Sequence, residues 1–360
     1  MSAPGFEQLV EQLFPGGRLL EAVPLSVDAS AAAEGTHKGA GYGLPQRLRV
    51  AKSDGAELDL VFRVASPNDF GHDRRSDRAG GALLAFDDFQ RMPRHIRALD
   101  VGAIRFDGSL VSLRESGEFY LLTSWAPGTL YADDLRRIAR EGRVTSGDVA
   151  RCEALARFLV DLHHRPEGTR PAQYVRAVRD LIGHGEGIYG VIDGYPPDVP
   201  GAAGARLNAL ECRCAEWRWR LRGHEGRLVR THGDFHPFNV VFDQGDDFTA
   251  LDASRGALGD GADDVTAMAI NYLFFALEHP RSWSQGLGVL WRRFWAISVA
   301  HDSALPSVAP PFFAWRALVL ANPVFYPALA AEARDRLLGF VEHVLDAGTL
   351  DPAWADRLFP

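Results

Sequence analysis

Three side chains that could handle a metal ion or a proton, Asp234, Asn239 and Asp252, lie within one short stretch of the chain. Phosphoryl transfer from ATP needs an Asp that orients the attacking hydroxyl group, and an Asn and a second Asp that hold Mg²⁺ on the phosphates. Four residues separate Asp234 from Asn239. The residue types and their spacing therefore fit phosphoryl transfer.

The residues between Asn239 and Asp252 predict a two-stranded hairpin. Apolar runs at residues 240–242 and 248–251 flank an acidic turn. Such a hairpin returns Asp252 to the level of Asn239, where both oxygens could bind one hard cation. The competing interpretation is a tight turn shaped by His232 and the Asp residues, but a turn does not require Asn239 and Asp252 at matched positions.

One family motif matches residues 232–239, which read HGDFHPFN. The motif resembles that of the aminoglycoside phosphotransferase and choline kinase-like family, small-molecule relatives of the protein kinases. The resemblance implies that Asp234 is the catalytic Asp, that Asn239 and Asp252 bind Mg²⁺, and that His236 lies next to the transferred phosphate. Phe238 stands where the family often has Gly, a difference that removes no ligand.

Phosphate-binding groups are expected upstream. A glycine-rich stretch that contains Gly39 and Gly41 either brings backbone N–H groups close to phosphate or is a flexible connector. The resemblance places a phosphate-binding Lys on the strand where this chain has Arg63, with Lys52 as the other candidate. Asp77, on the next helix, is the preferred partner of Arg63, although a solvated helix face explains this Asp equally well.

Strands are predicted at residues 103–106, 109–113 and 118–123, and they complete an antiparallel sheet with the hairpin at residues 48–65. The Pro-Gly pair at residues 127–128 marks a linker after the last strand. This linker resembles the family's hinge, where the backbone of Thr123, Trp125 and Ala126 would bind adenine. Later segments read as helices, among them a buried one at residues 265–277.

Downstream of Asp252, the resemblance places Asp264 where it would cap the next helix and brace the catalytic loop. Asp260 and Asp263, in the same acidic turn, could instead face the substrate. Residues 183–204, rich in Gly and Pro, predict a loop or lid. Cys212 and Cys214 lack a second pair at zinc spacing, so we expect structural cysteines.

Composition limits the function classes. The formal charge of −8 argues against a nucleic-acid-binding surface and permits a cationic substrate. Three Cys residues do not form a disulfide framework, which favours a reducing cytoplasm. We expect no signal peptide, because the N-terminus lacks a basic stretch followed by an apolar core. We also expect no membrane segment, since the most apolar window is too short.

These observations together predict an α+β, bilobal protein-kinase-like fold. Residues 1–124 would form an N-terminal nucleotide-binding lobe with an antiparallel sheet, and residues 125–360 a larger, mostly helical catalytic and substrate-binding lobe. The predicted activity is transfer of the γ-phosphoryl group of ATP, with Mg²⁺, to a hydroxyl of a small molecule. Aminoglycosides, other antibiotics, choline-like compounds, sugars and amino alcohols stay open as acceptors, as does the oligomeric state. The alternative is a non-catalytic nucleotide-binding scaffold, suggested by the missing strand Lys.

Overall fold

The computed structural model describes residues 3–25 and 45–359. The chain divides into two compact units, Met1–Thr123 and Ser124–Pro360. Gly39 and Gly41 lie outside the described residues, so their proposed contact with phosphate stays a prediction.

The first unit combines two helices with short antiparallel strands. Its elements are α1 (Ala3–Leu13), β1 (Arg18–Pro24), β2 (Gln46–Ala51), β3 (Glu57–Phe62), α2 (Arg75–Phe89), β4 (Gly102–Ile104) and β5 (Leu110–Ser112). Strands β1, β2 and β3 form one sheet in that order, and β4 pairs with β5 in a separate hairpin. Phe6 and Val10 of α1 pack with Leu48 and Val50 of β2 and with Leu110 of β5. This small core joins α1 to both sheets.

The predicted third strand at residues 118–123 is wrong. This segment forms neither a strand nor a helix, and Tyr120, Leu121 and Leu122 are each more than 85% exposed. A strand needs a hydrogen-bonded neighbour, and an apolar run predicts β-structure without identifying that neighbour. The predicted continuous sheet is accordingly two separate sheets in the first unit.

The second unit is mostly helical. Its helices are α3 (Tyr131–Glu141), α4 (Ser146–Leu162), α5 (Pro171–Gly183), α6 (Ile188–Asp193), α7 (Gly204–Arg220), α8 (Ala262–Glu278), α9 (Leu287–His301), α10 (Leu305–Val308), α11 (Pro310–Ala321) and α12 (Ala331–Ala347). Its strands are β6 (Thr129–Leu130), β7 (Leu228–Arg230), β8 (Val240–Phe242), β9 (Phe248–Ala250) and β10 (Leu258–Asp260). The mixed α+β class is as predicted.

Helix α8 is the centre of the second core. Nearly all of its residues are buried, and it packs against α4, α9, α11 and α12. A helix that is apolar on every side must be surrounded by other elements, so the buried helix predicted at residues 265–277 is confirmed. The predicted loop at residues 183–204 contains α6, whose Ile188 and Val191 pack into this core.

The cysteines are free: Cys152 and Cys214 are buried and Cys212 is exposed. Burial raises the pKa of the Cys214 thiol to about 12, which makes it unreactive and agrees with the predicted structural role. Within the described ranges, no helix has the length and apolar character needed to cross a bilayer.

The predicted hairpin is formed by β8 and β9, in the register Val240 to Ala250. Strand β6 adds to the other edge of β8 and makes a three-stranded sheet. Gly128, just before β6, has a φ of +125° and lies so close to β8 that an added Cβ would be 2.2 Å from the carbonyl oxygen of Phe242. Both the conformation and the approach require Gly at this position.

We expect Gly128→Ala to lower the free energy of unfolding by more than about 1 kcal/mol, because Ala fits neither this φ nor the gap to β8. The matched control is Gly339→Ala in the interior of α12, where the nearest atom would be 3.6 Å from the new Cβ. There, Ala should be neutral or stabilise by about 0.5–1 kcal/mol. Urea denaturation measures both, and equal stability of Gly128→Ala and wild type would contradict the close approach.

Candidate active site

The loop at residues 231–239, called here the Asp234 loop, follows β7 and is fastened to the turn at residues 251–257, called here the Asp252 turn. The backbone N–H of Ser254 donates to His232 O at 3.2 Å, and that of Leu251 donates to Asn239 O at 2.8 Å. These bonds hold the start and the end of the loop against the turn. The predicted neighbourhood of Asn239 and Asp252 is thus present in the backbone.

Asp264, in the first turn of α8, binds the backbone of the Asp234 loop. Its carboxylate is completely buried and accepts hydrogen bonds from the backbone N–H groups of His232 and Gly233, both at 2.8 Å. Nε2 of His163 lies 3.1 Å from the same carboxylate. Burial alone would raise the pKa of Asp264, but the hydrogen bond with His163 and the backbone donors lower it below its usual range. Asp264 therefore braces the loop.

Asp234 is surrounded by donors on both carboxylate oxygens. Nδ2 of Asn239 donates to its Oδ2 and to its backbone carbonyl, both at 3.1 Å. Nδ1 of His236 accepts from the backbone N–H of Phe238, so the ring proton is on Nε2, which lies 3.4 Å from Oδ2. Nη1 of Arg316 lies 2.5 Å from Oδ1.

These donors decide the protonation state of Asp234. Burial would raise its pKa, but the hydrogen bond from His236 and the charge of Arg316 hold that pKa well below its usual range. The side chain is thus an ionised acceptor. An ionised carboxylate can receive a hydrogen bond from a substrate hydroxyl and orient its oxygen for attack.

A second layer of charge lies behind Asp234. Asp263 is paired with Arg255, whose Nη2 is 2.6 Å away, and lies 3.7 Å from Nη2 of Arg316. The two guanidinium groups lie over the ring of Trp315, at 4.0 and 3.7 Å from its centroid. Burial raises the pKa of Asp263 and lowers that of Arg316, against the opposite charges beside each.

Sequence reasoning missed Arg316, Arg255 and Trp315. Arg316 is 82 positions from Asp234, and no local pattern connects the two. The available signal was a single Arg inside the otherwise apolar segment 310–321, because a buried Arg requires an acidic partner. Asp260, offered as a contact for substrate, is instead buried and paired through both oxygens with Arg227. That earlier interpretation is wrong for Asp260.

The predicted metal ligands both present oxygen atoms. The amide nitrogen of Asn239 is used twice by Asp234, so its Oδ1 is the atom left to bind a cation. Asp252 is exposed and has a φ of +43°, a conformation uncommon outside Gly and Asn. An amide oxygen and a carboxylate are the donors that Mg²⁺ prefers, so these residues fit the predicted ion.

The other residues predicted to contact the nucleotide lie upstream of the Asp234 loop. Arg63 is exposed and directly follows β3. Asp77 accepts a hydrogen bond from the backbone N–H of Arg74 at 2.8 Å and so closes the first turn of α2. Thr123, at the end of the first unit, and Trp125 and Ala126, at the start of the second, lie in a segment that forms neither a helix nor a strand, in which the Trp125 side chain is 89% exposed. Their roles stay predictions.

We expect Asp264→Asn to destabilise the second unit by at least about 2 kcal/mol, because an amide cannot accept both backbone hydrogen bonds and carries no charge. The folded pKa of Asp264 is depressed, so its contribution is fully present above the unfolded value of about 3.9 and is lost as the pH falls towards the folded pKa. Urea denaturation should show a stability difference that shrinks below about pH 4.

The matched control is Asp133→Asn, which removes an exposed carboxylate paired with Arg136 on the surface of α3. It should cost about 0–1 kcal/mol. If Asp264→Asn cost no more than this control, Asp264 would not be the brace of the loop.

Several solved structures are similar to this chain at low identity. A glucosamine kinase, solved in complex with glucosamine, ADP and inorganic phosphate, is 16% identical, with 100% of each chain covered and a TM-score of 0.35. An amicoumacin kinase, solved with AMP-PNP and Ca²⁺, is 13% identical over 89% of this chain and 91% of that chain, with a TM-score of 0.40. An aminoglycoside phosphotransferase from Streptomyces rimosus is 17% identical over 85% and 90%, with a TM-score of 0.31.

Comparison with curated proteins gives no match. The model of the Phosphotransferase enzyme family (APH) matches residues 52–282, more than half of the chain, and the match includes the Asp234 loop and the Asp252 turn. It confirms the resemblance inferred from residues 232–239 and, with the α+β architecture, the predicted protein-kinase-like fold class. The chain belongs to the APH phosphotransferase family.

Proposed function

We propose that this protein transfers the γ-phosphoryl group of ATP to a hydroxyl group of a small molecule. The observation that carries the proposal is the arrangement around Asp234. Its ionised carboxylate is oriented by Asn239, whose amide oxygen is left for a cation, and the Asp252 turn is hydrogen-bonded to the same residue. Family membership supports the phosphotransferase class, and these residues support the mechanism.

The residues have distinct roles in this proposal. Asp234 accepts the hydrogen bond of the acceptor hydroxyl, aligns its oxygen with the γ-phosphorus and takes the proton late in the reaction. His236, whose Nε2 lies 3.4 Å from Oδ2 of Asp234, would lie next to the transferred phosphate, as the family resemblance implies. Asn239 and Asp252 would hold Mg²⁺, which neutralises charge on the phosphates.

Other ligands of the metal ion would come from the nucleotide. Among residues 3–25 and 45–359, no three His, Cys, Asp or Glu side chains converge on a common metal position. Phosphate oxygens and water would therefore complete the coordination, as is usual for Mg²⁺ in such enzymes. The binding of Mg²⁺ and of ATP should then be interdependent.

The nucleotide itself would contact the first unit and the linker. We propose that Arg63 holds phosphate in place of the usual Lys, supported by Asp77, with backbone N–H groups of Gly39 and Gly41 as further donors. Arg can bind phosphate through its planar fork, although with different geometry from a Lys ammonium group. The backbone of Thr123, Trp125 and Ala126 would bind adenine.

The acceptor is proposed only by class. Aminoglycosides and other hydroxylated antibiotics, with a role in resistance, are candidates, as are amino sugars and amino alcohols. Fold does not identify a substrate, so the acceptor must be found by experiment. The competing proposal, a nucleotide-binding scaffold without catalysis, is not favoured by an intact set of Asp234, Asn239 and Asp252.

Phosphorus NMR of Mg-ATP with the protein and a panel of hydroxylated antibiotics and metabolites tests the proposal. We expect a new phosphate-ester signal with one panel member, and its loss in Asp234→Asn, because an amide cannot accept the hydroxyl proton. Broadening of the ATP signals without transfer would mean that the acceptor is missing from the panel. Unchanged ATP signals would show that Arg63 does not replace the missing Lys.

We expect Asp252→Ala to reduce Mg²⁺-dependent turnover by at least about 100-fold, since one of two protein ligands of the cation is lost. The matched control is Asp246→Ala, which removes an exposed carboxylate from the turn between β8 and β9. Both variants are assayed over a range of Mg²⁺ concentrations. Partial recovery of Asp252→Ala at high Mg²⁺ supports a ligand role, whereas equal turnover of the two variants would remove Asp252 from the site.

A further inference from the structure

Arg316 makes the shortest charged contact of Asp234, although it comes from a different part of the chain. It lies on α11, and its side chain is 8% exposed. A charged group this deeply buried is costly unless it is paired and hydrogen-bonded. The residue therefore has a specific partner, and the contacts identify which one.

The guanidinium group forks across two consecutive residues of the Asp234 loop. Nη1 lies 2.5 Å from Oδ1 of Asp234, and Nη2 donates to the carbonyl oxygen of Gly233 at 3.2 Å. The planar fork of Arg fixes the angle between such donors, which a single ammonium group cannot do. Arg316 thus restrains the carboxylate of Asp234 relative to the backbone that carries it.

Asp263 is the weaker partner of Arg316. Its Oδ1 is 3.7 Å from Nη2 and has no hydrogen-bond partner among the described residues, and the same holds for Nε of Arg316. Asp263 is instead held by Arg255 at 2.6 Å. The orientation of Arg316 is therefore set by the Asp234 loop, and its charge is not needed to neutralise Asp263.

The ring of Trp315 helps to fix the position of Arg316. Its guanidinium lies 3.7 Å from the centroid of the Trp315 ring, and Nε1 of Trp315 donates to the carbonyl oxygen of Glu186 at 3.0 Å. A cation on an aromatic face gains stabilisation, and the hydrogen bond fixes the ring. Few orientations of the guanidinium then remain.

We propose that Arg316 is a positioning residue of the phosphotransfer reaction, holding Asp234 so that Oδ1 receives the acceptor's hydroxyl group. A carboxylate has about four acceptor positions. Asn239 and His236 lie against Oδ2, and Arg316 occupies one position of Oδ1. Within residues 3–25 and 45–359 no other donor contacts Oδ1, which leaves its second position for the acceptor. This inference rests on the proposed phosphotransferase function.

The test compares Arg316→Met and Arg316→Lys with wild type, using the acceptor identified by phosphorus NMR and, in parallel, phosphate release from Mg-ATP with water as acceptor. We expect Arg316→Met to lower kcat roughly 100-fold, the effect of a misplacement of about 1 Å, with little change in KM for Mg-ATP. Arg316→Lys keeps a charge but loses the fork, so its kcat should lie between that of Arg316→Met and that of wild type.

Arg334→Met is the matched control, because Arg334 is also buried on a helix of this unit but, among the described residues, donates only to the backbone carbonyls of Pro200, Ala321 and Leu329. It should lower the melting temperature and leave kcat unchanged. A purely structural Arg316 would behave in the same way. Wild-type kcat in the folded Arg316 variants would overturn the proposal.

The outcomes separate this inference from the proposed function. If wild type transfers no phosphate and Asp234→Asn behaves identically, the function itself fails and the role of Arg316 fails with it. If transfer depends on Asp234 but not on Arg316, only the positioning role fails. Should Arg316→Met not fold, Arg316→Lys decides: a lower kcat with unchanged KM supports the fork, and wild-type kcat overturns it.

Discussion

The Asp234 loop depends on one buried carboxylate, that of Asp264. Backbone N–H groups at residues 232 and 233 point into the protein, and a buried donor without a partner costs about as much as a lost hydrogen bond. Asp264 satisfies both donors and is itself charged, which makes each bond stronger than a neutral one. The loop can therefore leave regular structure immediately before Asp234 without a penalty for its backbone.

The Asp234 loop also requires Gly at position 233. The φ of this residue, +82°, lies in the left-handed region that favours Gly, and a Cβ there would be 2.2 Å from Ser254 O. The Asp234 loop and the Asp252 turn thus approach each other closely through backbone atoms, and Oγ of Ser254 also donates to the carbonyl oxygen of Gly233 at 3.5 Å. A contact of this kind is rigid, so it fixes the spacing of Asp234, Asn239 and Asp252.

Much of this could be predicted from the sequence, because the relevant signals are local. The hairpin, the buried helix α8 and the set of Asp234, Asn239 and Asp252 follow from short apolar runs and fixed spacing. The strand predicted at residues 118–123 failed since its pairing partner is a property of the tertiary structure. Helix α6 was missed because its glycines and the nearby prolines indicate a loop, whereas Ile188 and Val191 gain their burial only from the assembled core.

The net charge of the chain likewise does not predict how charges are paired around Asp234. A formal charge of −8 permits a cationic acceptor, yet Asp234, Asp263 and Asp264 are each matched by Arg316, Arg255 or His163. The surplus acid is therefore not concentrated beside Asp234. In the proposed function, selection of the acceptor would depend on groups other than these paired carboxylates. The same pairing holds the carboxylate of Asp234 and offsets its charge, so these residues are organised to orient Asp234 rather than to attract a positive charge.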